Sequence, residues 1–176
     1  GLIFCNTPDY GTDEVSDTAL AMMLSLLRGV FAYDMFSRGY SDTWQENTIA
    51  KLRRVSEQTL GVVGAGRIGT ALMRKAKALG MNIVFYDPYK DSGYEKAIGV
   101  NRCYDLEEFL IQCDVVSMHT PLTEETRSMI DENFISNMKQ DSILINSSRG
   151  EVVKDLDIIY RALKSGKLSA VALDVL

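Results

Sequence analysis

Three glycines are the residues of this 176-residue sequence whose spacing points most directly to a chemistry. Gly64, Gly66 and Gly69 form a G-x-G-x-x-G sequence between an apolar run at 59–63 and a helical pattern that begins at Arg67. The first glycine of such a turn permits tight bending, the second lets the backbone approach a diphosphate, and the third allows close helix–strand packing. Unpaired N–H groups and the dipole at a helix N-terminus favour an anion there. The spacing therefore predicts a dinucleotide-binding turn.

An acid stands where such a turn would need one. Asp87 follows the apolar run 82–86 and lies 18 residues after Gly69. A carboxylate there accepts hydrogen bonds from adenosine ribose hydroxyls and repels a 2′-phosphate, which favours NAD over NADP. The alternative is an ordinary glycine turn with Asp87 at a strand end, which the strand–turn–helix context disfavours. For Arg67, inside the turn, contact with the pyrophosphate and a surface position both remain open.

Further polar residues follow three other apolar runs. His119, Thr120 and Pro121 come after the run 115–118, the sequence N-S-S-R-G occupies 146–150, and Asp174 follows the run 169–173. In a doubly wound sheet, ligands bind at the carboxyl ends of the strands. Within N-S-S-R-G, Arg149 has a forked guanidinium that suits bidentate binding of a carboxylate, with a surface ion pair as its alternative.

The elements that must position these residues alternate between strands and helices, which predicts an α/β fold with a parallel sheet covered on both faces. A helix is expected from Thr12, its N-cap, because apolar residues then recur at helical spacing as far as Val30. The polar stretch 36–57, around Trp44, is predicted to be a loop or arm. Strands are predicted at 2–5, 59–63, 82–86, near 100, and at 115–118, 142–146 and 169–173, and later helices at 67–79, 106–111, 131–138 and 154–164.

Composition excludes several classes of protein. Apolar residues make up 46% of the chain and charged residues 24%, which argues against a disordered chain. The net charge of −5 argues against nucleic acid as a main partner. The sequence also contains no run of about 18 apolar residues, the length needed to span a membrane. The three cysteines lack metal-site spacing and are expected to be reduced thiols in a cytoplasmic protein, and no metal site is predicted.

Taken together, the motifs resemble one family. The glycine turn 64–69 with Asp87, the H-T-P-L at 119–122, the N-S-S-R-G at 146–150 and the A-L-D-V at 172–175 occur in its order and spacing. The sequence is similar to the NAD-binding domain of the D-isomer-specific 2-hydroxyacid dehydrogenases. The resemblance implies a Rossmann-type doubly wound sheet over 1–176 with NAD as cofactor. The segment 8–15 is similar to the branch that contains the C-terminal-binding proteins.

The resemblance also assigns roles to individual residues. Arg149 matches the catalytic arginine that holds the carboxylate and carbonyl of the substrate. His119, the sole histidine of the sequence, matches the H-T-P position and not the family's catalytic histidine, so a structural or cofactor-lining role is expected. The expected cofactor-binding residues are Gly64, Gly66, Arg67, Ile68, Gly69, Asp87, His119, Thr120, Pro121, Thr126, Ser148 and Asp174.

The resemblance implies a larger protein than these 176 residues. The family's catalytic glutamate and histidine come after the position of Asp174, beyond Leu176, and a substrate domain is also expected elsewhere. We therefore expect this chain alone to bind NAD without turning over a small 2-hydroxy or 2-keto acid. A homodimer is expected through the helix 12–37 and the arm 36–57, although a monomer core could equally absorb the apolar stripe of that helix.

Two alternatives to a dehydrogenase remain. One is a non-enzymatic, NAD-responsive binding module similar to the corepressor members of the family. The other is a different enzyme with a similar cofactor domain, such as an adenosylhomocysteine hydrolase. Arg149 within N-S-S-R-G disfavours the second alternative.

Overall fold

A six-stranded parallel sheet forms the centre of the computed structural model, which describes residues 2–7, 9–39 and 51–176. The strand order is β3-β2-β1-β4-β5-β6, and every neighbouring pair is parallel. The prediction of six strands from residue 59 onward is confirmed, as is the doubly wound order. The strands are β1 Thr59–Val63, β2 Asn82–Tyr86, β3 Asn101–Cys103, β4 Val115–Met118, β5 Ser142–Asn146 and β6 Leu168–Leu173.

Helices cover both faces of this sheet, as predicted. Alternate strand residues are buried on opposite faces: Ile83 and Phe85 belong to one apolar cluster, and Val84 to the other. The first cluster packs against α1, α3 and α4, and the second against α5, α6 and α7. The helices are α1 Thr12–Arg28, α2 Val30–Arg38, α3 Arg67–Ala78, α4 Tyr94–Ile98, α5 Leu106–Leu110, α6 Glu132–Asn137 and α7 Leu156–Lys164.

The prediction of an opening strand at 2–5 is wrong. Leu2, Ile3 and Phe4 are each more than 90% exposed, and the segment pairs with no strand among the described residues. A strand needs a neighbouring ladder to satisfy its N–H and C=O groups. Apolar character alone therefore does not place this segment in the sheet.

The predicted continuous helix 12–37 is also corrected, because it is two helices. Gly29 takes a left-handed conformation with φ of 64°, which ends α1 and places α2 at 66° to it. Thr12 is the first helical residue and not the N-cap, a position that Gly11 holds without a side-chain hydrogen bond. No single described helix has the length and hydropathy of a membrane span, and only the bent pair α1–α2 reaches both when its two parts are combined.

The predicted arm 36–57 is partly structured. Residues 36–38 belong to α2 and Val55–Glu57 form a short 3-10 helix, while Trp44 lies outside the described residues. Among the described residues of this stretch, Arg53 donates from its backbone N–H to the carbonyl of Leu27 at 2.9 Å, and its guanidinium pairs with Asp141 at 2.9 Å. The short helix α4 was not predicted; its five residues lie between Gly93 and Gly99, which both take the left-handed conformation.

Candidate dinucleotide-binding site

The strand order reverses direction between β1 and β4, and a cleft opens there. From β1 the chain runs outward through β2 and β3, whereas from β4 it runs the other way through β5 and β6. A cleft of about 620 Å³ lies at the carboxyl ends of these strands, where open α/β sheets bind their ligands. It is lined by Val63, Gly64, Gly66, Tyr86, Asp87, Pro88, Tyr89, His119, Thr120, Pro121, Thr123, Glu124, Glu125, Thr126 and Met129.

The glycine turn forms the floor of the cleft, and each glycine meets a different constraint. Gly64 has φ of +92°, and a Cβ on it would lie 2.7 Å from the carbonyl oxygen of His119. A Cβ on Gly69 would lie 2.1 Å from the carbonyl oxygen of Gly64, which shows how closely α3 begins against the turn. Around Gly66 the space is open, because a Cβ there would meet nothing within 4 Å. A ligand backbone therefore has room at Gly66.

The N-terminus of α3 points its unsatisfied amides at this space. Gly66 is its N-cap, and no side chain among the described residues caps its first turn. The free N–H groups and the positive end of the helix dipole suit an anionic diphosphate. Ile68 is partly buried and Gly69 is buried at the start of α3, so they contribute backbone rather than cleft wall.

Asp87 lies directly over the turn. Its Oδ2 accepts a hydrogen bond from the N–H of Ala65 at 2.8 Å, and its Oδ1 accepts one from the N–H of Tyr89 at 2.9 Å. A carboxylate can accept about four hydrogen bonds. Asp87 therefore keeps acceptor capacity for a pair of hydroxyls while its own position is held from two sides.

His119 forms part of the cleft wall and carries no charge at neutral pH. Its backbone N–H donates to the carbonyl of Val63 at 2.8 Å, and the Nε2 of its imidazole lies 2.8 Å from the hydroxyl of the fully buried Ser117. Burial lowers the pKa of His119 to about 4. A neutral imidazole engaged with Ser117 is suited to lining a site and poorly suited to giving up a proton at pH 7.

Thr120 and Thr126 follow on the same wall but differ in availability. The hydroxyl of Thr120 is buried and has no hydrogen-bond partner among the described residues. The hydroxyl of Thr126 donates to the carbonyl of Pro121 at 2.6 Å and accepts from the N–H of Thr123 at 2.8 Å. Thr120 thus offers an unused group to a ligand, whereas Thr126 mainly shapes the loop.

The remaining predicted residues lie outside this cleft. Ser148 and Arg149 follow β5, Asp174 follows β6, and none of the three lines the cleft. Arg67 is exposed and forms an ion pair with Asp9, which favours the surface alternative in this structure. The N-S-S-R-G loop lies at the end of the neighbouring strand β5, while the predicted residues that the cleft gathers are Gly64, Gly66, Asp87, His119, Thr120, Pro121 and Thr126.

Asn146 organises the N-S-S-R-G loop, a role that the sequence analysis did not assign. Its side chain is fully buried: Oδ1 accepts from the N–H and the hydroxyl of Ser148 at 3.0 and 2.8 Å, and Nδ2 donates to the carbonyl of Arg149 at 2.9 Å. The carbonyl of Asn146 also accepts from the N–H of Asp174 at 2.9 Å. An amide at the end of an otherwise apolar strand was the signal that could have identified it.

Arg149 itself is exposed and available. Its Nη1 donates to the carbonyl of Ser148 at 2.6 Å, and it forms no ion pair with the residues that the structure describes. The surface ion pair considered for this residue is therefore not formed here. A free guanidinium beside a loop held by Asn146 can take a carboxylate through two parallel hydrogen bonds.

Two further residues at the cleft were not predicted. Tyr89 and Glu125 both line it, and the hydroxyl of Tyr89 donates to the carboxylate of Glu125. The carboxylate of Glu125 raises the pKa of Tyr89. No group of three His, Cys, Asp or Glu within the described part of the chain could hold a metal ion.

Comparison with known proteins finds similarity over almost the whole chain. A family model described as D-isomer specific 2-hydroxyacid dehydrogenase, NAD binding domain, matches residues 20–176. The glyoxylate reductase of Korarchaeum cryptofilum is 40% identical over 177 residues, covering 99% of this chain and 52% of that protein. C-terminal-binding protein 1 of Caenorhabditis elegans is 32% identical over 183 residues, which cover 99% of this chain and 24% of that protein.

A solved structure extends the similarity to three dimensions. The D-lactate dehydrogenase of Aquifex aeolicus, complexed with NAD and lactic acid, superposes with a TM-score of 0.87 at 36% identity. The superposition covers 97% of this chain and 50% of that one. The chain thus spans about half the length of this structure and of the glyoxylate reductase.

Proposed function

Because the chain belongs to the D-isomer-specific 2-hydroxyacid dehydrogenase family, of which it is the NAD-binding domain, we propose that its protein transfers hydride between NAD(H) and a small 2-hydroxy or 2-keto acid. The observation that carries the proposal is the cleft between β1 and β4. There Asp87 is hydrogen-bonded to the glycine turn through Ala65, and the space at Gly66 is open.

The residues present fit NAD. The open space at Gly66 and the uncapped start of α3 suit the pyrophosphate, and the unused acceptor capacity of Asp87 suits the ribose hydroxyls. The unpartnered hydroxyl of Thr120 is a further group that a bound ligand would satisfy. When bound, NAD supplies or accepts the hydride.

Arg149 is the residue of this chain that we assign to the substrate. Its exposed guanidinium can hold the carboxylate of a 2-keto acid and stabilise negative charge as it develops on the carbonyl oxygen. Asn146 keeps the loop in place by bonding both Ser148 and Arg149. The backbone N–H of Asp174 bonds the same asparagine, which places Asp174 beside this loop and supports its assignment as a cofactor-binding residue.

We assign no residue of this chain to the proton transfer of the reaction. His119 is its sole histidine, and that imidazole is neutral and occupied by Ser117. We therefore expect the 176-residue chain to bind NADH without reducing 2-keto acids. A NAD-responsive, non-enzymatic module is the alternative, favoured by the similarity to C-terminal-binding protein 1. Turnover of a 2-keto acid by the whole protein separates the two.

The cofactor assignment is tested by titrating the chain with NADH and following the nicotinamide fluorescence. We expect saturable binding, which Gly66→Asp abolishes by placing a carboxylate in the open diphosphate space. Gly39→Asp is the matched control, because Gly39 also has an ordinary φ, −101°, and lies far along the chain at the end of α2. Absence of binding at millimolar NADH, or equal binding by both variants, would contradict the proposal.

We also propose a homodimer and a cytoplasmic location. Support for the dimer is an apolar patch on α2, where Val30, Phe31 and Met35 are each more than half exposed. Sedimentation should show a dimer that Phe31→Glu weakens, while Tyr160→Glu, at another site on α7 that is more than half exposed, leaves it intact. An unchanged distribution in Phe31→Glu would remove the patch from the interface. The three free thiols support a reducing compartment.

A further inference from the structure

Arg102 on β3 reaches across to the segment that carries Asp87. Its Nη2 donates to the carbonyl oxygen of Asp87 at 2.7 Å, and its Nη1 donates to the carbonyl oxygen of Asp91 at 3.2 Å. One guanidinium thus bridges both ends of the segment 87–91. Pro88 and Tyr89, within that segment, line the cleft. Arg102 itself is not among the lining residues.

The orientation of this guanidinium is set by its surroundings. It lies 4.5 Å from the ring centroid of Tyr104 and 5.7 Å from that of Phe85, its register partner on β2. Its Nε is buried without a hydrogen-bond partner among the described residues. Since one donor is left unused, the two carbonyl contacts and the two rings are what fix the plane of the group.

Asp87 is consequently held at both ends. Arg102 bonds its backbone carbonyl, while the N–H groups of Ala65 and Tyr89 bond its carboxylate. Asp87 is the first residue after β2, so the ladder of the sheet no longer constrains it. Without the bridge, the carbonyl of Asp87 loses its Arg102 donor, while the carbonyl of Asp91 keeps the N–H of Tyr94 at 3.3 Å. The start of the segment then gains freedom to move the carboxylate away from the turn.

We propose that Arg102 is a positioning residue that sets the Asp87 carboxylate against the glycine turn and thereby determines the discrimination between NAD and NADP. The inference rests on the proposed NAD site. Accurate placement matters because a displacement of about 1 Å can cost a functional site up to about a hundredfold. A carboxylate held in place accepts hydrogen bonds from a ribose diol and repels a 2′-phosphate. A mobile carboxylate makes both interactions weaker.

The charge of Arg102 and its geometry make opposite predictions. Removing a positive charge near the cleft disfavours the more negative NADP and raises the preference for NAD. Losing the bridge lowers that preference. Arg102→Lys keeps the charge but has a single nitrogen, which cannot hold two carbonyls in the fork geometry of arginine. The lysine variant therefore separates the two effects.

The experiment measures dissociation constants for NADH and NADPH on the chain and on Arg102→Lys. We expect the NADH constant to rise about tenfold and the NADPH constant to change less than threefold, so that the preference for NADH falls. Arg161→Lys is the matched control, because this exposed arginine on α7 bonds Glu132 and the carbonyl of Asp157 and does not line the cleft. Its preference should equal that of the unmodified chain.

A double variant shows whether Arg102 acts through Asp87. In an Asp87→Ala background, Arg102→Lys should produce no further change in the preference for NADH over NADPH. A general loosening of the fold would instead weaken the binding of both cofactors again. Tyr104→Leu, which removes an exposed stacking ring, should likewise lower the preference for NADH over NADPH, and it tests the proposal even if Arg102→Lys folds poorly.

The outcomes also separate this inference from the proposed function. If the unmodified chain fails to bind NADH, the proposed function fails regardless of Arg102. If it binds NADH and both Arg102→Lys and Tyr104→Leu retain its preference, the proposed function stands and the positioning role of Arg102 is wrong.

Discussion

His119 makes the stability of this fold depend on pH in a predictable direction. Burial lowers its pKa from an ordinary 6.5 to about 4, and its Nε2 bonds Ser117 beneath the cleft. The unfolded chain therefore binds a proton at a pH where the folded chain does not. Stability is complete above the unfolded pKa and is lost as the pH falls from about 6.5 towards about 4.

The magnitude follows from the two pKa values. Each pKa unit is worth about 1.4 kcal/mol, so a lowering from 6.5 to about 4 corresponds to a limit of about 3 kcal/mol at low pH. At pH 5 the unfolded histidine is almost fully protonated and the folded one is not. The expected loss between pH 7 and pH 5 is therefore about 2 kcal/mol of unfolding free energy.

The assay is urea unfolding of the chain and of His119→Gln at pH 7 and at pH 5. The glutamine keeps an amide near the position of Nε2 for Ser117 but cannot titrate. We expect the unmodified chain to lose about 2 kcal/mol more than the variant between the two pH values. All other titratable groups are common to the two proteins, so their contributions cancel in this comparison, and the difference reports the sole histidine of the sequence. Equal losses in both proteins would refute the account of a partly buried, neutral His119.

Three further outcomes are expected. Asp87→Ala should weaken NADH binding about tenfold and reduce the preference over NADPH, and an unchanged ratio in paired titrations would remove its ribose role. Gly64→Ala should lower the unfolding free energy by at least about 1–3 kcal/mol, because of its φ of +92° and the nearby carbonyl of His119, and an unchanged urea midpoint would contradict this. The chain should reduce neither hydroxypyruvate nor glyoxylate above background in a spectrophotometric NADH assay; clear turnover would overturn the role given to His119.

The sheet and the glycine turn were predictable because their signals are local. β1 and β2 are bounded as predicted, since each is a short apolar run between turn residues. The strand at 101–103 was predicted only approximately, near residue 100, because it is three residues long and no more than partly buried. The position of Asp87 relative to the turn followed from the strand–turn–helix order, and the structure places its carboxylate on Ala65.

Other features could not be predicted, because apolar periodicity and motif spacing report neither contacts distant in sequence nor the backbone conformation of a single residue. The apolar run at 2–5 has the composition of a strand, but no described strand lies beside it. The bend at Gly29 depends on a left-handed conformation that the apolar stripe does not report. The two contacts of Arg102 join residues 11 and 15 positions away, and no spacing rule connects a residue on β3 to the loop after β2.

The sequence by itself determined the family, the alternation of strands and helices and the residue types at each strand end, because periodicity and motif spacing are properties of neighbouring residues. Tertiary structure alone decided how those ends are used. It gathered the glycine turn, Asp87 and Thr120 into one cleft, engaged His119 with Ser117 and left Arg149 free. Burial and hydrogen bonding between remote residues set those outcomes, since they govern protonation and side-chain availability.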